Sequence, residues 1–171
     1  PMDLCSHRLA NYLAGNPPDA ATIEITLIGP ELMIDADTVL SVCGADFDLT
    51  LANALHSSSS GGVYLGNPNG IVVKAKEGKT LYHMGDTDMF SGMELIAEFH
   101  KPDIGIVPIG DRFTMGAKSA AFACKKYFSF KSILPCHYGT FEGMLDPDAS
   151  KFVAEMKGYN VQVPKIGETV T

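Results

Sequence analysis

The sequence predicts a mixed α/β fold in which β-sheets pack together as a sandwich and helices cover the outside. Strand-like segments dominate the first third of the chain, and helix-like and strand-like segments alternate in the rest. The chain has 171 residues and is 46% hydrophobic, which suits one domain with a substantial core. We therefore expect residues 1–171 to form a single domain.

The first third begins with a predicted helix. Asp3 is a suitable N-cap for a helix that runs to about Ala14, and Gly15-Asn16-Pro17-Pro18 would end it. The segments that follow alternate between apolar and polar residues, which is typical of strands with one buried face. Strands are predicted at residues 21–28, 32–43 (one or two strands) and 48–55.

A hairpin is predicted where the pattern changes. Ile71–Ala75 and Lys79–His83 flank the turn-forming residues Lys76-Glu77-Gly78, whereas Ser57–Gly62 is predicted to be a flexible loop. Beyond the hairpin, apolar spacing predicts helices at 91–100, 117–128 and 147–157, and strands at 103–109, 132–135 and 160–163.

Composition excludes several classes of function. The formal charge of −7 argues against a nucleic-acid partner, and no apolar run reaches the roughly 18–20 residues that cross a bilayer. The four cysteines form no CxxC pair, which favours a reduced, cytoplasmic protein. Pro1 and Met2 lead directly into a helix-like segment, which suggests a truncated, processed or engineered chain.

Three residues with metal-binding side chains each follow a predicted strand: His56, Asp86 and His137. Strand ends of this kind gather ligands in layered α/β folds, and imidazole and carboxylate groups suit Zn, Mn or Fe. An alternative stays open for each residue. A single histidine at a strand end is usually a surface or hydrogen-bonded residue, and Gly85-Asp86-Thr87 is typical of a simple turn.

The sequence around these residues contains five motifs in register: Leu55-His56-Ser57-Ser58-Ser59, Tyr64-Leu65-Gly66-Asn67-Pro68-Asn69-Gly70, Tyr82-His83-Met84-Gly85-Asp86-Thr87, Pro108-Ile109-Gly110-Asp111-Arg112-Phe113-Thr114-Met115-Gly116 and His137-Tyr138-Gly139-Thr140-Phe141. With these motifs, the chain from about Leu55 to the C-terminus resembles the metal-dependent hydrolase branch of the metallo-β-lactamase superfamily. The resemblance implies the C-terminal half of an αββα fold that is either truncated or covered by a different segment.

The resemblance also implies roles for individual residues. His56 would be the third histidine of a first metal site, Asp86 the carboxylate that bridges two metals, and His137 the last ligand of the second site. His83, Asp111 and Tyr138 would orient these ligands. An equally good interpretation is that these three residues only fix their own loops. No catalytic side chain is identified.

The chain departs from that family in one respect. The family's His-x-His-x-Asp-His motif, which supplies most of the ligands, is absent, and the only histidine before His56 is His7. We therefore expect at most one weakly bound divalent ion (Zn, Mn or Fe) and little or no hydrolase activity. Whether the protein is an enzyme is left open.

The first 47 residues contain a second set of motifs: Met2-Asp3, Arg8-Leu9-Ala10-Asn11, Gly15-Asn16-Pro17, Asp19-Ala20-Ala21, Glu24-Ile25-Thr26, Gly29-Pro30, and Thr38 through Gly44-Ala45-Asp46-Phe47. With these motifs, residues 1–47 resemble the start of the allophanate hydrolase subunit 2 family, which includes biotin-dependent carboxyltransferase-like proteins. Together the two resemblances suggest a chimera joined within residues 48–54.

Two hypotheses compete with a metal-dependent hydrolase. One is a structural chimera or designed fold without metal or catalysis, and the other is a small-molecule or partner-binding module. If part of the apolar face of the sheet stays exposed, a homodimer would bury it.

Overall fold

The computed structural model describes residues 4–22, 41, 47–76, 78–165 and 168, and it divides into two compact units, 1–46 and 47–171. In the first unit, helix α1 (Leu4–Leu13) confirms the predicted helix. The buried Asn11 side chain donates a hydrogen bond to the Ala20 carbonyl at 2.8 Å, which folds the following segment back on the helix. Nearly all of the strands predicted at 21–28 and 32–43 lie outside the described residues.

The second unit contains a five-stranded mixed sheet and a small two-stranded ribbon. The strands in chain order are β1 (Phe47–Asn53), β2 (Ser59–Ser60), β3 (Val63–Tyr64), β4 (Asn69–Ala75), β5 (Thr80–His83), β6 (Ile104–Pro108) and β7 (Ser132–Cys136). The sheet has the order β1-β4-β5-β6-β7. Strands β1, β4 and β5 pair antiparallel, whereas β5, β6 and β7 pair parallel. This mixed sheet confirms the predicted α/β class.

The turns of this unit show one success and one error of prediction. The hairpin of β4 and β5 is confirmed, with Val72 opposite Tyr82 and Lys74 opposite Thr80. The prediction of a loop at 57–62 is wrong, because β2 and β3 pair as an antiparallel ribbon. Gly61 and Gly62 both have positive φ, as a two-residue hairpin turn requires.

Three helices accompany the strands: α2 (Met93–His100), α3 (Ala117–Tyr127) and α4 (Ser150–Glu155). The first two confirm the predicted helices to within a few residues. Helix α4 is shorter than predicted, because residues 147–149 and 156–158 form bends and turns. The strand predicted at 160–163 is reduced to a single parallel bridge between Val161 and Ile133. No helix among the described residues is long and apolar enough to cross a membrane.

The core lies between the helices and one face of the sheet. Alternate strand residues, such as Val72, Tyr82 and Ile133, are buried against residues of the helices, such as Ala120 and Phe152. Because β5, β6 and β7 run parallel, their carboxyl ends lie at one edge of the sheet, and the loops that follow them meet there.

Candidate metal centre

The loops that follow β5, β6 and β7 are joined by backbone hydrogen bonds. We call residues 84–90, 109–116 and 137–149 the carboxyl-edge loops. The Met115 amide donates to the Thr87 carbonyl at 3.0 Å, and the Asp146 amide donates to the Gly110 carbonyl at 3.3 Å. Each loop is therefore fixed to a neighbour, so side chains on different loops have defined relative positions.

Two of the predicted ligands meet at this edge. The Nε2 atom of His137 lies 3.4 Å from the Oδ2 atom of Asp86. The Asp86 side chain is 47% exposed and that of His137 is 19% exposed, so the pair is reachable from solvent. The separation exceeds the roughly 2.7–2.9 Å of a charge-assisted hydrogen bond. It matches the roughly 3.3–3.6 Å between two ligands that bind one tetrahedral ion at about 2.0–2.2 Å.

The position of His137 is set by backbone packing. Its φ of 58° lies in the left-handed region, which is unusual for a residue with a side chain. Its Nδ1 atom is buried and has no hydrogen-bond partner among the described residues. A Cβ atom on Gly110 would lie 2.6 Å from that Nδ1 and 2.1 Å from the His137 carbonyl oxygen, so the ring packs directly on the Gly110 backbone. A positive φ at a residue that carries a side chain is typical of functional sites.

A tight turn places Asp86. Gly85 has a φ of +68°, and a Cβ there would lie 2.4 Å from the Asn69 carbonyl oxygen, so only glycine fits. The Gly85 amide donates to the Nδ1 atom of His83 at 3.0 Å. The predicted supporting residue His83 therefore contacts the turn that carries Asp86 and stabilises it.

His56 follows β1 and is connected to the Asp86 loop through its neighbour. The Leu55 amide donates to the Thr87 hydroxyl at 2.9 Å, and the Asp88 amide donates to the Leu55 carbonyl at 2.8 Å. The described part of the chain contains no group of three or more His, Cys, Asp or Glu residues arranged to hold a metal ion. The structure thus brings Asp86 and His137 together but does not place His56 with them as a third ligand, and its ligand role stays a prediction.

The remaining predicted residues support loops. Asp111 has a φ of 73°, and its amide donates to the Met115 carbonyl at 3.1 Å within its own loop. Tyr138 is half-buried against the core, and burial, followed by the nearby Cys136 and Asp148, raises its pKa. Within the described ranges neither side chain is hydrogen-bonded to Asp86 or His137, so their orienting role also stays a prediction.

Thr87 has a structural role that the sequence did not predict. This residue is fully buried, and its hydroxyl donates to the Asp88 carbonyl at 2.7 Å while accepting from the Leu55 amide. Its carbonyl accepts the Met115 amide. Thr87 therefore joins the loops after β1, β5 and β6. The available signal was the threonine that directly follows Asp86 in the Gly-Asp-Thr motif.

Solved structures share this architecture. A metallo hydrolase of the archaeon Ignicoccus hospitalis superposes with a TM-score of 0.64 and is 32% identical, covering 73% of this chain and 52% of its own. The metallo-β-lactamase fold protein YhfI of Bacillus subtilis superposes with a TM-score of 0.53 at 15% identity, covering 72% of this chain and 49% of its own. The fold is therefore of the metallo-β-lactamase class.

Sequence relatives identify the family. A UPF0173 metal-dependent hydrolase of Mesorhizobium japonicum is 49% identical over 175 positions, covering 98% of this chain and 70% of the relative. Another, of Methylocella silvestris, is 57% identical over 131 positions, covering 73% of this chain and 56% of the relative. The chain belongs to the UPF0173 metal-dependent hydrolase family. It spans 70% and 56% of the lengths of these two relatives.

The N-terminal segment also matches a second family. The model of the carboxyltransferase domain, subdomain A and B, matches residues 1–82. This agrees with the carboxyltransferase-like resemblance of residues 1–47, but it extends through β4 and most of β5. The Mesorhizobium relative spans nearly the whole of this chain, so a chimeric origin is not confirmed.

Proposed function

We propose that this chain supplies Asp86 and His137 to the divalent metal centre of a metal-dependent hydrolase. The single observation that carries the proposal is the 3.4 Å separation of Asp86 Oδ2 and His137 Nε2 at the carboxyl edge of the parallel strands. Membership of a family whose relatives are named metal-dependent hydrolases supports it.

The donor set fits a Zn, Mn or Fe ion. A carboxylate and a neutral imidazole are common ligands of these ions, and the strained backbone of His137 directs its Nε2 atom toward Asp86. When bound, such an ion acidifies a water ligand and polarises a scissile carbonyl or phosphoryl group. The chain itself positions the two ligands: the Gly85 turn fixes Asp86, and packing on Gly110 fixes His137.

The chain alone would bind this ion weakly. Catalytic zinc sites usually have three protein ligands, whereas two converge here and His56 is the candidate third. The His-x-His-x-Asp-His motif is absent from residues 1–171. We therefore propose one weakly held divalent ion and little or no hydrolase activity for this chain, with residues 1–47 as a fragment of different ancestry joined at 48–54.

The alternative function is structural, without metal or catalysis. The specific observation in its favour is that Asp86 and a protonated His137 would form an ordinary ion pair at 3.4 Å. Under this alternative the pair only holds the loops after β5 and β7 together, whether the chain is a chimera or a designed fold.

Metal titration separates the two functions. We would measure Zn²⁺, Mn²⁺ and Fe²⁺ binding by calorimetry for the wild type, Asp86→Asn, His137→Asn and the control His100→Asn on helix α2. Asparagine tolerates the left-handed backbone of residue 137, so His137→Asn removes the imidazole without adding backbone strain. The two site variants should lose at least about tenfold in affinity, and the control should not. Equal affinity in all four proteins, or no binding by any, would refute the metal centre.

The cellular setting forms part of the same proposal. We propose a reduced, cytoplasmic protein on the basis of the scattered cysteines, and one that binds neither nucleic acid nor membrane on the basis of the charge of −7 and the lack of a long apolar run.

A homodimer is also proposed, because it would cover the apolar residues that β1 and β4 expose, Leu49, Leu51 and Ile71. Light scattering coupled to size exclusion would measure the mass, and a monomer at 18.3 kDa across the concentration range would exclude the dimer.

A further inference from the structure

The carboxyl-edge loops carry an uneven distribution of charge. They contain six carboxylate side chains: Asp86, Asp88, Asp111, Glu142, Asp146 and Asp148. Arg112 is their single Lys or Arg residue. An anionic molecule approaching this edge would be repelled by six of its seven Asp, Glu, Lys and Arg side chains, so the position of the one Lys or Arg residue decides whether an anion can bind.

Arg112 lies at the tip of a closed loop. Gly110 and Gly116 form an isolated bridge at its base, and the Asp111 amide donates to the Met115 carbonyl at 3.1 Å. The two ends of this loop contact the two segments that carry Asp86 and His137. Gly110 packs against His137, and Met115 is hydrogen-bonded to Thr87, the residue after Asp86. The loop therefore bridges the two segments that carry the ligands.

The guanidinium of Arg112 is oriented but not neutralised. Its Cζ atom lies 5.7 Å from the centroid of the Phe113 ring, within the range of a cation–π contact. No carboxylate pairs with Arg112 among the described residues, whereas Lys151 pairs with Asp146 and Lys131 pairs with Asp103. Both Arg112 and Phe113 are exposed to solvent. An exposed cation held by an aromatic ring and lacking a carboxylate partner can accept an anion from solution.

We propose that Arg112 and Phe113 form a specificity site that binds an oxyanion of the substrate, a carboxylate or a phosphate. That this oxyanion belongs to a substrate rests on the proposed hydrolase function. Planar guanidinium donors match the two oxygens of a carboxylate or phosphate, and the ring of Phe113 offers an apolar surface beside them. The site would select anionic over neutral substrates and place them beside Asp86 and His137.

Binding of small probes to the metal-free full chain tests the proposal without relying on activity. The probes are phenylacetate and phenylacetamide, which have nearly the same shape but differ in charge, followed by phenyl phosphate. Affinities are measured by NMR titration, with the backbone amide signal of Phe113, which every variant retains, as the local reporter. Wild type should bind phenylacetate about tenfold or more tightly than phenylacetamide. The phenyl phosphate titration shows which oxyanion is preferred.

Matched variants identify the residue responsible. Arg112→Gln should abolish the preference for the anion, and Arg112→Lys should retain part of it. Lys118→Gln, which removes an exposed cation on helix α3, should leave it unchanged. A preference that survives in Arg112→Gln, or that is absent from the wild type, would overturn the proposal. Since the titration needs no metal, it can succeed where the metal titration fails, and the two proposals are tested separately.

Discussion

Replacing Gly110 with alanine tests whether backbone packing sets the candidate site. Gly110 does not have a positive φ, so alanine is compatible with its backbone, and the effect of the substitution is purely steric. The added methyl carbon would lie 2.1 Å from the His137 carbonyl oxygen and 2.6 Å from its Nδ1 atom. Both atoms belong to His137, whose Nε2 atom is the proposed ligand, so we expect relief of the clash to move that atom.

The size of the effect follows from these contacts. Non-bonded atoms prefer separations of about 3.5–4.0 Å, so His137 would have to retreat by about 1 Å or more. Overpacking of this kind costs about 1–3 kcal/mol, and because backbone atoms yield less easily than side chains we expect about 3 kcal/mol. A ligand displaced by this distance should also lose about tenfold in metal affinity.

The assay is urea unfolding followed by far-UV circular dichroism, together with metal titration of the same proteins. Gly143→Ala is the matched control. It lies in a carboxyl-edge loop at φ +70° with no atom within 4 Å of a Cβ, so it reports only the backbone cost of about 1–2 kcal/mol. A Gly110→Ala protein that is less destabilised than this control and binds metal like the wild type would show that packing on Gly110 does not set the position of His137.

Three further outcomes are expected. The pKa of Asp103 is lowered by a hydrogen bond from Lys131 and, to a smaller extent, by one from the Thr80 amide. The ionised Asp103 carboxylate therefore stabilises the folded state fully above the ordinary carboxyl pKa, and this stabilisation is lost as the pH falls through the lowered pKa. Asp103→Asn should cost about 1–2 kcal/mol at pH 6 and flatten the acid dependence of the urea midpoint, and an unchanged dependence would contradict this. The buried Tyr82 hydroxyl has no partner among the described residues, so Tyr82→Phe should leave the melting temperature equal or higher, and a clear decrease would reveal a partner. Burial raises the pKa of Cys124 to about 12, so peptide mapping after iodoacetamide at pH 8 should show it labelled far more slowly than the half-buried Cys136, and comparable rates would contradict its burial.

The sequence predicted the alternating part of the fold well, because its signals there are local. Apolar periodicity located α2, α3 and β6, and the Lys76-Glu77-Gly78 turn located the hairpin of β4 and β5. The β2–β3 ribbon was missed because its strands are only two residues long, too short to show an alternating pattern. The shortening of α4 depends on bends near Pro147 and Gly158 rather than on hydrophobic spacing.

The candidate site was predicted in part. Placing Asp86 and His137 at the ends of parallel strands was enough to bring them together, because such ends share one edge of a sheet. The described residues form no group of three ligands at that edge. His56 nevertheless follows the same rule, because β1 pairs antiparallel with β4 and β4 pairs antiparallel with β5, so β1 runs parallel to β5 and ends at that edge. Its connection to the Asp86 loop depends on hydrogen bonds of Leu55 with Thr87 and Asp88, and spacing along the sequence does not reveal such bonds.

Backbone strain at His137 supports the proposal that its side chain is oriented before any metal ion binds. Asp111 and His137 both have positive φ, and both are adjacent to the same packing contact, since Gly110 precedes Asp111 and touches His137. Each such residue costs about 1–2 kcal/mol relative to an unstrained backbone. Glycine at either position would remove that cost, but glycine at 137 would also remove the imidazole. The proposed role at Nε2 agrees with the orientation that this packing gives the ring. The hydrogen bond that usually orients a metal-binding histidine through its other ring nitrogen is not formed by Nδ1 among the described residues.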